Sequence, residues 1–413
     1  MLTGEIRSQI DALWNTFWTG GISNRFEDFA GRSVRMNPAW FDDCIDTDEE
    51  VAFVPMAAVS AETANIERLE VRKLGDVLQG FPWFTDRDVL VAKITPCFEN
   101  GKIVQARITQ RYGFGSTEFH VLSPAESLDA RYLLHFLRQD HVRIDGDRKM
   151  TGSAGQRRVP KYFLERLSIP LPPLAEQQRI AEVLDRAEAL RAKRRAALAQ
   201  LDSLTQSLFR DLFGDHTSIL RRWPTKKLGE LLDFLTSGSR GWAEYYSDSG
   251  DLFLRIQNVR RDELVLEDVA YVKAPDTAEA KRTRVQPGDV LLSITADLGR
   301  TAAVPDGIGV AFINQHLSIL RTKALVPRFL SAYFASPVGQ RQVLGRNRQA
   351  VKAGLNFDDI RSFVVPLPPI ELQREFARRV TAVEALKTAQ RASLAELDAL
   401  FATLQHRAFR GEL

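Results

Sequence analysis

Two long stretches of helical periodicity dominate the pattern of apolar and polar positions along this chain. The first places leucine or alanine at intervals of seven, four, three and four residues from Leu190, which is the heptad spacing of paired helices. Helices over residues 174–213 and 370–409 are each about 60 Å long at 1.5 Å per residue, too long to bury an apolar stripe alone. We predict that they pair antiparallel through Leu190, Leu201, Leu204, Leu208, Leu386, Leu397, Leu400 and Leu404. The alternative is that each helix packs only on its own domain.

The second stretch repeats the first. The entry Pro170-Leu171-Pro172-Pro173 recurs 196 positions later as Pro366-Leu367-Pro368-Pro369, and Gln177 matches Gln373 at the same offset. Proline disfavours helix in the residue before it and presets φ for a first helical turn, so each entry predicts a helix start. The shared register of both stretches indicates a tandem duplication.

Two blocks of short β-branched runs accompany the helices. They share a pattern but little sequence, which is what two independent recognition modules on a common frame would show. The segments that echo each other are Asp88–Leu90 with Asp289–Leu291, Ile94-Thr95 with Ile294-Thr295, and Ser116–Leu122 with Asn314–Leu320. The predicted fold class is therefore α+β: two mixed α/β domains separated by two long helices in an antiparallel coiled coil, with pseudo-two-fold duplication.

The order of parts follows from these patterns. An amphipathic helix is expected at the start, and Gly20-Gly21 stops it. The predicted segments are 1–24 (amphipathic helix), 25–169 (first domain), 170–214 (central helix), 215–365 (second domain) and 366–413 (C-terminal helix).

Composition narrows the class of protein. Apolar residues make up 44% of 413 residues, enough for real cores. The net charge of +3 is too small for a global basic field to indicate nucleic acid, although arginine outnumbers lysine and its planar fork suits phosphates. Two cysteines without metal-ligand spacing fit a reduced cytoplasm, and no apolar run reaches the ~20 residues of a membrane span.

Motifs for catalysis are missing from the sequence. Both Pro-Pro pairs lie in apolar surroundings, so neither forms the Asn/Asp-Pro-Pro-Tyr/Phe loop of an amine methyltransferase. There is no Gly-x-Gly cofactor loop after a strand and no Walker A motif. Pro275–Lys281 contains Asp276, Glu279 and Lys281, but their spacing favours a turn entering a short helix over a nuclease site. The histidines show no metal-ligand spacing, and we predict no metal site and no enzyme activity in this chain.

The doubled entry, the helix after it and the diverged blocks closely resemble the specificity subunit of type I restriction–modification systems. Trp223-Pro224 with Leu228-Gly229 resembles the usual opening of one of that family's target-recognition domains. The resemblance covers about residues 32–413. It implies that each domain reads one half of a bipartite site in double-stranded DNA, while the helices set the spacer and dock two methyltransferase subunits. Restriction/translocase subunits then join, and S-adenosylmethionine, ATP and Mg²⁺ are expected on those partners, with no cofactor in this chain.

The first 24 residues depart from that family. Ile6–Asn24 resembles the opening of the methyltransferase subunit instead, and the first block lacks a counterpart of Trp223-Pro224. Two alternatives stay open, and the unusual start is consistent with the first of them. One is an orphan specificity subunit without enzyme partners, and the other is a non-catalytic scaffold whose domains bind peptides.

Candidate DNA contacts are polar side chains on loops, because direct readout requires groups that reach base edges. The Gly-rich stretch Met150–Val159 is favoured, since such loops bring backbone amides close to phosphates. In the first block the candidates are Lys93, Arg107, Arg111, Arg148, Lys149, Gln156, Arg157 and Arg158. In the second block they are Ser237, Arg240, Trp242, Arg255, Gln257, Asn258, Arg260, Arg261, Arg346, Asn347 and Arg348. For any one of them, a solvated surface role is the alternative.

Overall fold

The computed structural model describes residues 26–28, 33–39, 46–153, 155–215, 218–346 and 354–412. The helix predicted over residues 1–24 lies outside the described residues. The chain forms two units: Met1–Ala196 with Gln390–Leu413, and Ala197–Ala389.

The first unit contains two four-stranded sheets, ordered β2-β9-β6-β7 and β4-β3-β8-β5, and a small β1-β10 pair. Its strands are β1 (Phe26–Asp28), β2 (Val34–Met36), β3 (Glu50–Val54), β4 (Glu70–Lys73), β5 (Trp83–Phe84), β6 (Val89–Ala92), β7 (Ile103–Gln105), β8 (Gly113–Gly115), β9 (Phe119–Pro124) and β10 (Ser168–Pro170). Its helices are α1 (Leu74–Val77), α2 (Ala130–Leu137), α3 (Asp140–Lys149), α4 (Lys161–Glu165) and the first part of α5 (Leu174–Phe213).

The second unit repeats this plan, with sheets ordered β12-β19-β16-β17 and β13-β15-β14-β18 and a β11-β20 pair. Its strands are β11 (Thr225–Lys227), β12 (Phe234–Ser237), β13 (Tyr246–Ser247), β14 (Asp251–Leu254), β15 (Ala270–Val272), β16 (Val290–Ser293), β17 (Thr301–Ala303), β18 (Ala311–Ile313), β19 (Leu317–Arg321) and β20 (Val364–Pro366). Its helices are α6 (Ile219–Arg222), α7 (Ala278–Thr283), α8 (Pro327–Ala335), α9 (Pro337–Gly345), α10 (Phe357–Arg361) and the first part of α11 (Ile370–Ala408).

The sheets β2-β9-β6-β7 and β12-β19-β16-β17 match in strand order and in register, whereas the other two sheets differ at one edge, where β5 borders β8 and β13 borders β15. Val89 on β6 pairs with Leu122 on β9, and Val290 on β16 pairs with Leu320 on β19. The predicted match of Ser116–Leu122 with Asn314–Leu320 is therefore confirmed. The predicted match of Ile94-Thr95 with Ile294-Thr295 is wrong by one residue. Val89 and Val290 hold equivalent ladder positions, so Lys93 and not Ile94 is equivalent to Ile294. The predicted fold class, two mixed α/β domains with two long helices, is confirmed.

The glutamine of each helix entry joins its long helix to its own domain. In the first unit, buried Gln177 accepts a hydrogen bond from the Asp129 amide (2.8 Å) and donates to the Pro172 carbonyl (2.8 Å). In the second unit, buried Gln373 accepts from the Val326 amide (2.9 Å) and donates to the Pro368 carbonyl (2.8 Å). Asp129 is the residue before α2, and Val326 is the residue before α8. Each glutamine therefore joins the start of its long helix to the start of a shorter helix in the same domain.

In the first unit the long helices pair antiparallel through polar contacts. Arg191 on α5 lies against Asp398 on α11 (2.6 Å), and Arg194, further along α5, bonds Gln390, earlier on α11 (2.7 Å). The Arg191 guanidinium also covers the Phe401 ring at 4.4 Å. The interpretation of Arg191, Lys193, Arg194 and Arg195 as a solvated face is therefore wrong for Arg191, whose side chain is only 16% exposed.

In the second unit the same helices meet through a phenylalanine cluster and an ion pair. Phe213, at the end of α5, packs edge-on against Phe376 of α11 (5.5 Å between ring centroids) and Phe329 of α8 (4.7 Å). Lys387 on α11 binds Asp202 on α5 (2.9 Å). The antiparallel order again holds, since the later residue of α5 meets the earlier residue of α11.

The predicted leucine pairing is only partly correct. Leu397 and Leu404 are buried, and Leu190, Leu201, Leu208 and Leu400 are half-buried. Leu204 and Leu386 are 39% and 53% exposed, so their assignment to the pairing surface is wrong. Much of the contact that leucines were expected to make is made instead by Phe376, Val380 and Val383 on α11 and by charged side chains.

Candidate nucleic-acid interface

In the first unit three loop segments converge at one end of a sheet. The amide of Lys93, just after β6, donates to the Glu118 carbonyl in the β8–β9 loop (2.8 Å). The Lys93 carbonyl in turn accepts from the amide of Val159 (2.8 Å), and the Thr95 amide donates to the Arg157 carbonyl (2.9 Å). We call the segments 93–95, 116–118 and 157–159 the first junction.

The second unit builds the same arrangement. The Ile294 amide, just after β16, donates to the His316 carbonyl in the β18–β19 loop (2.9 Å), and the Ile294 carbonyl accepts from the Leu355 amide (2.9 Å). We call the segments 294–295, 314–316 and 354–355 the second junction. Matching backbone hydrogen bonds make Glu118 equivalent to His316 and residue 117 equivalent to Gln315.

In each unit, one strand runs from the junction at one end of the sheet to the attachment of the long helix at the other end. Strand β19 starts at the second junction, ends at Arg321 and leads to Val326, whose amide binds Gln373 of α11. Strand β9 likewise leads from the first junction to Asp129, whose amide binds Gln177 of α5. The junctions are thus at the opposite sheet end from the helix attachment, where loops can diverge without disturbing the frame.

The first junction carries compensated charge. The Arg158 guanidinium forms a two-pronged ion pair with Glu118 (2.7 and 2.9 Å), and these hydrogen bonds hold the pKa of the Glu118 carboxyl below its usual value. Arg157 pairs with Asp147 (2.7 Å). Nearby His120 bonds the Val159 carbonyl (3.0 Å) through Nε2, and burial lowers the pKa of its imidazole. Most of the positive charge on the Gly-rich loop is therefore already balanced by acids.

The exposed amine of Lys149, at the end of α3, makes no ion pair with the described residues. Replacing Lys149 with glutamine should therefore reduce the slope of log K against log salt for DNA binding by about 0.9, the value for one phosphate contact. The matched change Arg158→Gln should leave the slope nearly unchanged, because Glu118 already neutralises that guanidinium. Titration of DNA binding at several salt concentrations measures both slopes. Equal reductions in the two variants would show that the Arg158–Glu118 pair opens on DNA.

The second junction carries a hydrogen-bonded chain of three side chains that the sequence interpretation missed. The His316 ring lies between the hydroxyl of Thr295 (Oγ1 to Nδ1, 2.5 Å) and the amide of Gln315 (Nε2 to Nε2, 3.1 Å). All three side chains are half-buried. The echo between Ser116–Leu122 and Asn314–Leu320 was the signal in the sequence that could have located them.

Several predicted contact residues of the second block serve the fold instead. Trp242 is 6% exposed, packs against Phe253 with the two rings tilted by 36°, and donates a hydrogen bond to Ser239, so its assignment as a DNA contact is wrong. Asn258 is buried, and its amide bonds the backbone of Arg255 and Val265, so that assignment is wrong too. The Arg346 guanidinium bonds Ser362 and covers the Phe363 ring, which ties α9 to the segment before β20.

Other candidates lie on the surface, where the assignment stays a prediction. Arg240, Gln257, Arg260 and Arg261 are exposed, Ser237 is half-buried, and Arg255 bonds the Asp268 carbonyl. In the first unit Arg107, Arg148, Lys149 and Gln156 are exposed, and Lys93 is half-buried. Exposed Arg111 covers the Tyr112 ring, and Arg148 pairs with Asp145. Asn347 and Arg348 lie outside the described residues.

The described part of the chain contains no group of three or more His, Cys, Asp or Glu side chains arranged to hold a metal ion. Among its helices, none combines the length and the apolar character that crossing a membrane requires.

The two units share a duplicated arrangement of their main strands and carry different side chains at equivalent loops. The chain belongs to the family of type I restriction modification DNA specificity domains, whose model matches residues 43–200 and 221–398.

Curated relatives carry that name. The specificity subunit of the Escherichia coli type I restriction enzyme EcoAI is 39% identical over 151 residues, and that of EcoEI is 43% identical over 137 residues. These matches span 36% and 33% of this chain but only 25% and 23% of those proteins. The E. coli EcoKI specificity subunit is 25% identical over 71% of this chain and 68% of its own.

Solved structures share the fold. A chain from a study of assembly and conformational transition of the type I restriction–modification system aligns over 96% of this chain and 100% of its own, with a TM-score of 0.57 at 21% identity. The type I S subunit from M. genitalium aligns over 95% and 97%, with a TM-score of 0.56 at 15% identity.

Proposed function

We propose that this chain is the non-catalytic DNA sequence-recognition subunit of a type I restriction–modification complex. Each unit reads one half of a bipartite site in double-stranded DNA. The observation that carries the proposal is the pair of equivalent junctions, which have the same backbone hydrogen bonds but an Arg158–Glu118 ion pair in one unit and a hydrogen-bonded Gln315–His316–Thr295 chain in the other. Different polar groups at equivalent positions would select different bases.

The long helices supply the distance between the half-sites. Two modules that meet the same face of B-DNA need centres about one helical turn apart, 34–36 Å, and a helix of 40 residues is about 60 Å long. A stiff helical pair sets such a distance better than a flexible linker, whose ends wander.

The helices also dock partners in this proposal. Two methyltransferase subunits bind them and carry S-adenosylmethionine, and restriction/translocase subunits with ATP and Mg²⁺ join that complex. Methylation requires the target base to be flipped from the stack, so this chain has to hold a partner's active site over that base. It needs no cofactor of its own for that role.

Selection of bound fragments from random DNA, followed by sequencing, tests the proposal. The expected result is a two-part motif with a gap of constant length. A single uninterrupted motif, or no enrichment at all, would favour a scaffold role. Co-purification of a methyltransferase subunit with the tagged chain then distinguishes the active subunit from an orphan, which would select the same motif but retain no enzyme.

A further inference from the structure

We infer that Gln315 determines specificity in the second unit and that it reads an adenine in that unit's half-site through the major groove. This inference rests on the proposed function and makes it specific: it names one side chain, one base and one half-site.

The hydrogen bonds of the second junction fix the orientation of the Gln315 amide. An amide nitrogen only donates, so His316 Nε2 accepts at 3.1 Å. His316 Nδ1 therefore carries the ring proton and donates to Thr295 Oγ1 at 2.5 Å. The imidazole is held at both ends, by Gln315 at Nε2 and by Thr295 at Nδ1, and it acts as a support for the amide.

This arrangement leaves Gln315 with one N–H donor and its carbonyl acceptor, and no described residue bonds to that carbonyl. A donor and an acceptor side by side match the N7 acceptor and N6 amino group of adenine, which glutamine contacts in a two-pronged manner. The fixed amide loses less side-chain entropy on binding than a free one.

The first unit lacks an equivalent of the Gln315 amide, so this donor–acceptor pair is not a general feature of the fold. Its equivalent position is Thr117, whose short hydroxyl cannot make the same two-pronged contact. The neighbouring Glu118, equivalent to His316, is held by Arg158. The two units therefore present different groups at the same place, which an asymmetric bipartite site requires.

Random-DNA selection with the full-length wild type and three variants tests the inference. Gln315→Ala should lose the preference for adenine at one position of one half-site, by about 5- to 150-fold in relative Kd, with the other half-site and the gap unchanged. Gln315→Glu, which keeps the size of the side chain, should shift that position toward cytosine, whose N4 amino group donates to a carboxylate. The control Gln286→Ala changes an exposed glutamine of the same unit away from the junction and should leave the motif intact.

The outcomes separate the inference from the proposed function. If the wild type selects no bipartite motif, the proposed function fails and the inference fails with it. If the wild type selects one and both Gln315 variants keep every position, the inference alone is overturned. Relaxation at a position other than adenine also overturns it. Thermal melting of each variant checks folding, and the Gln315→Glu result decides the matter should Gln315→Ala be unstable.

Discussion

Replacing Phe213 with alanine should lower the free energy of unfolding by about 3–5 kcal/mol, the usual cost of removing a buried phenylalanine ring. Phe213 is fully buried where the end of α5 meets Phe329 of α8 and Phe376 of α11. The substitution leaves a cavity at the point where the second domain and both long helices pack together. Denaturant unfolding followed by circular dichroism measures the change.

The control lies on the same helix. Leu204 was expected from its heptad position to pair with α11, but its side chain is 39% exposed. Leu204→Ala should change the free energy of unfolding by less than about 0.5 kcal/mol. A cost for Leu204→Ala comparable to that of Phe213→Ala would restore the heptad interpretation and contradict the packing described for the second unit.

Replacing Gln373 with leucine should cost about 2–4 kcal/mol of unfolding free energy, because the buried Val326 amide and Pro368 carbonyl both lose their partner. Gln177→Leu is an internal replicate in the first unit and should cost a similar amount. The exposed neighbour Gln178 supplies the control, and Gln178→Leu should be nearly neutral. If both buried glutamines tolerate leucine without loss, the entry motif has another purpose than joining each helix to its domain.

The two long helices could be predicted from the sequence because short motifs, present in both copies, mark where they start. The proline entries fix where each helix starts, and both α5 and α11 begin at the predicted residues. Helix pairing was less predictable. Heptad spacing gives the face of a helix only approximately, and an arginine such as Arg191 is buried when an acid and an aromatic ring lie opposite, which a single sequence does not reveal.

The candidate interface was harder to predict, because residue type alone does not show whether a polar side chain is exposed or buried. Trp242 and Asn258 have the chemistry of DNA contacts, yet long-range packing buries both. Gln315 and His316 stood out in no motif. The echo between Ser116–Leu122 and Asn314–Leu320 marked their segment, and the duplicated backbone hydrogen bonds place them at a position equivalent to the Arg158–Glu118 pair.

The proposed function requires paired helices to hold two unlike heads at one separation, and changing the length of the gap in the DNA tests that requirement most directly. Once the bipartite site is known, one base pair is added to or removed from its gap, which shifts one half-site by about 3.4 Å along the duplex and rotates it. Two heads that are fixed relative to each other cannot adjust to the displaced half-site. Either change should therefore weaken binding at least about 30-fold, roughly 2 kcal/mol. Binding within twofold of the original site for all three gap lengths would mean that the heads move independently, and would contradict the account.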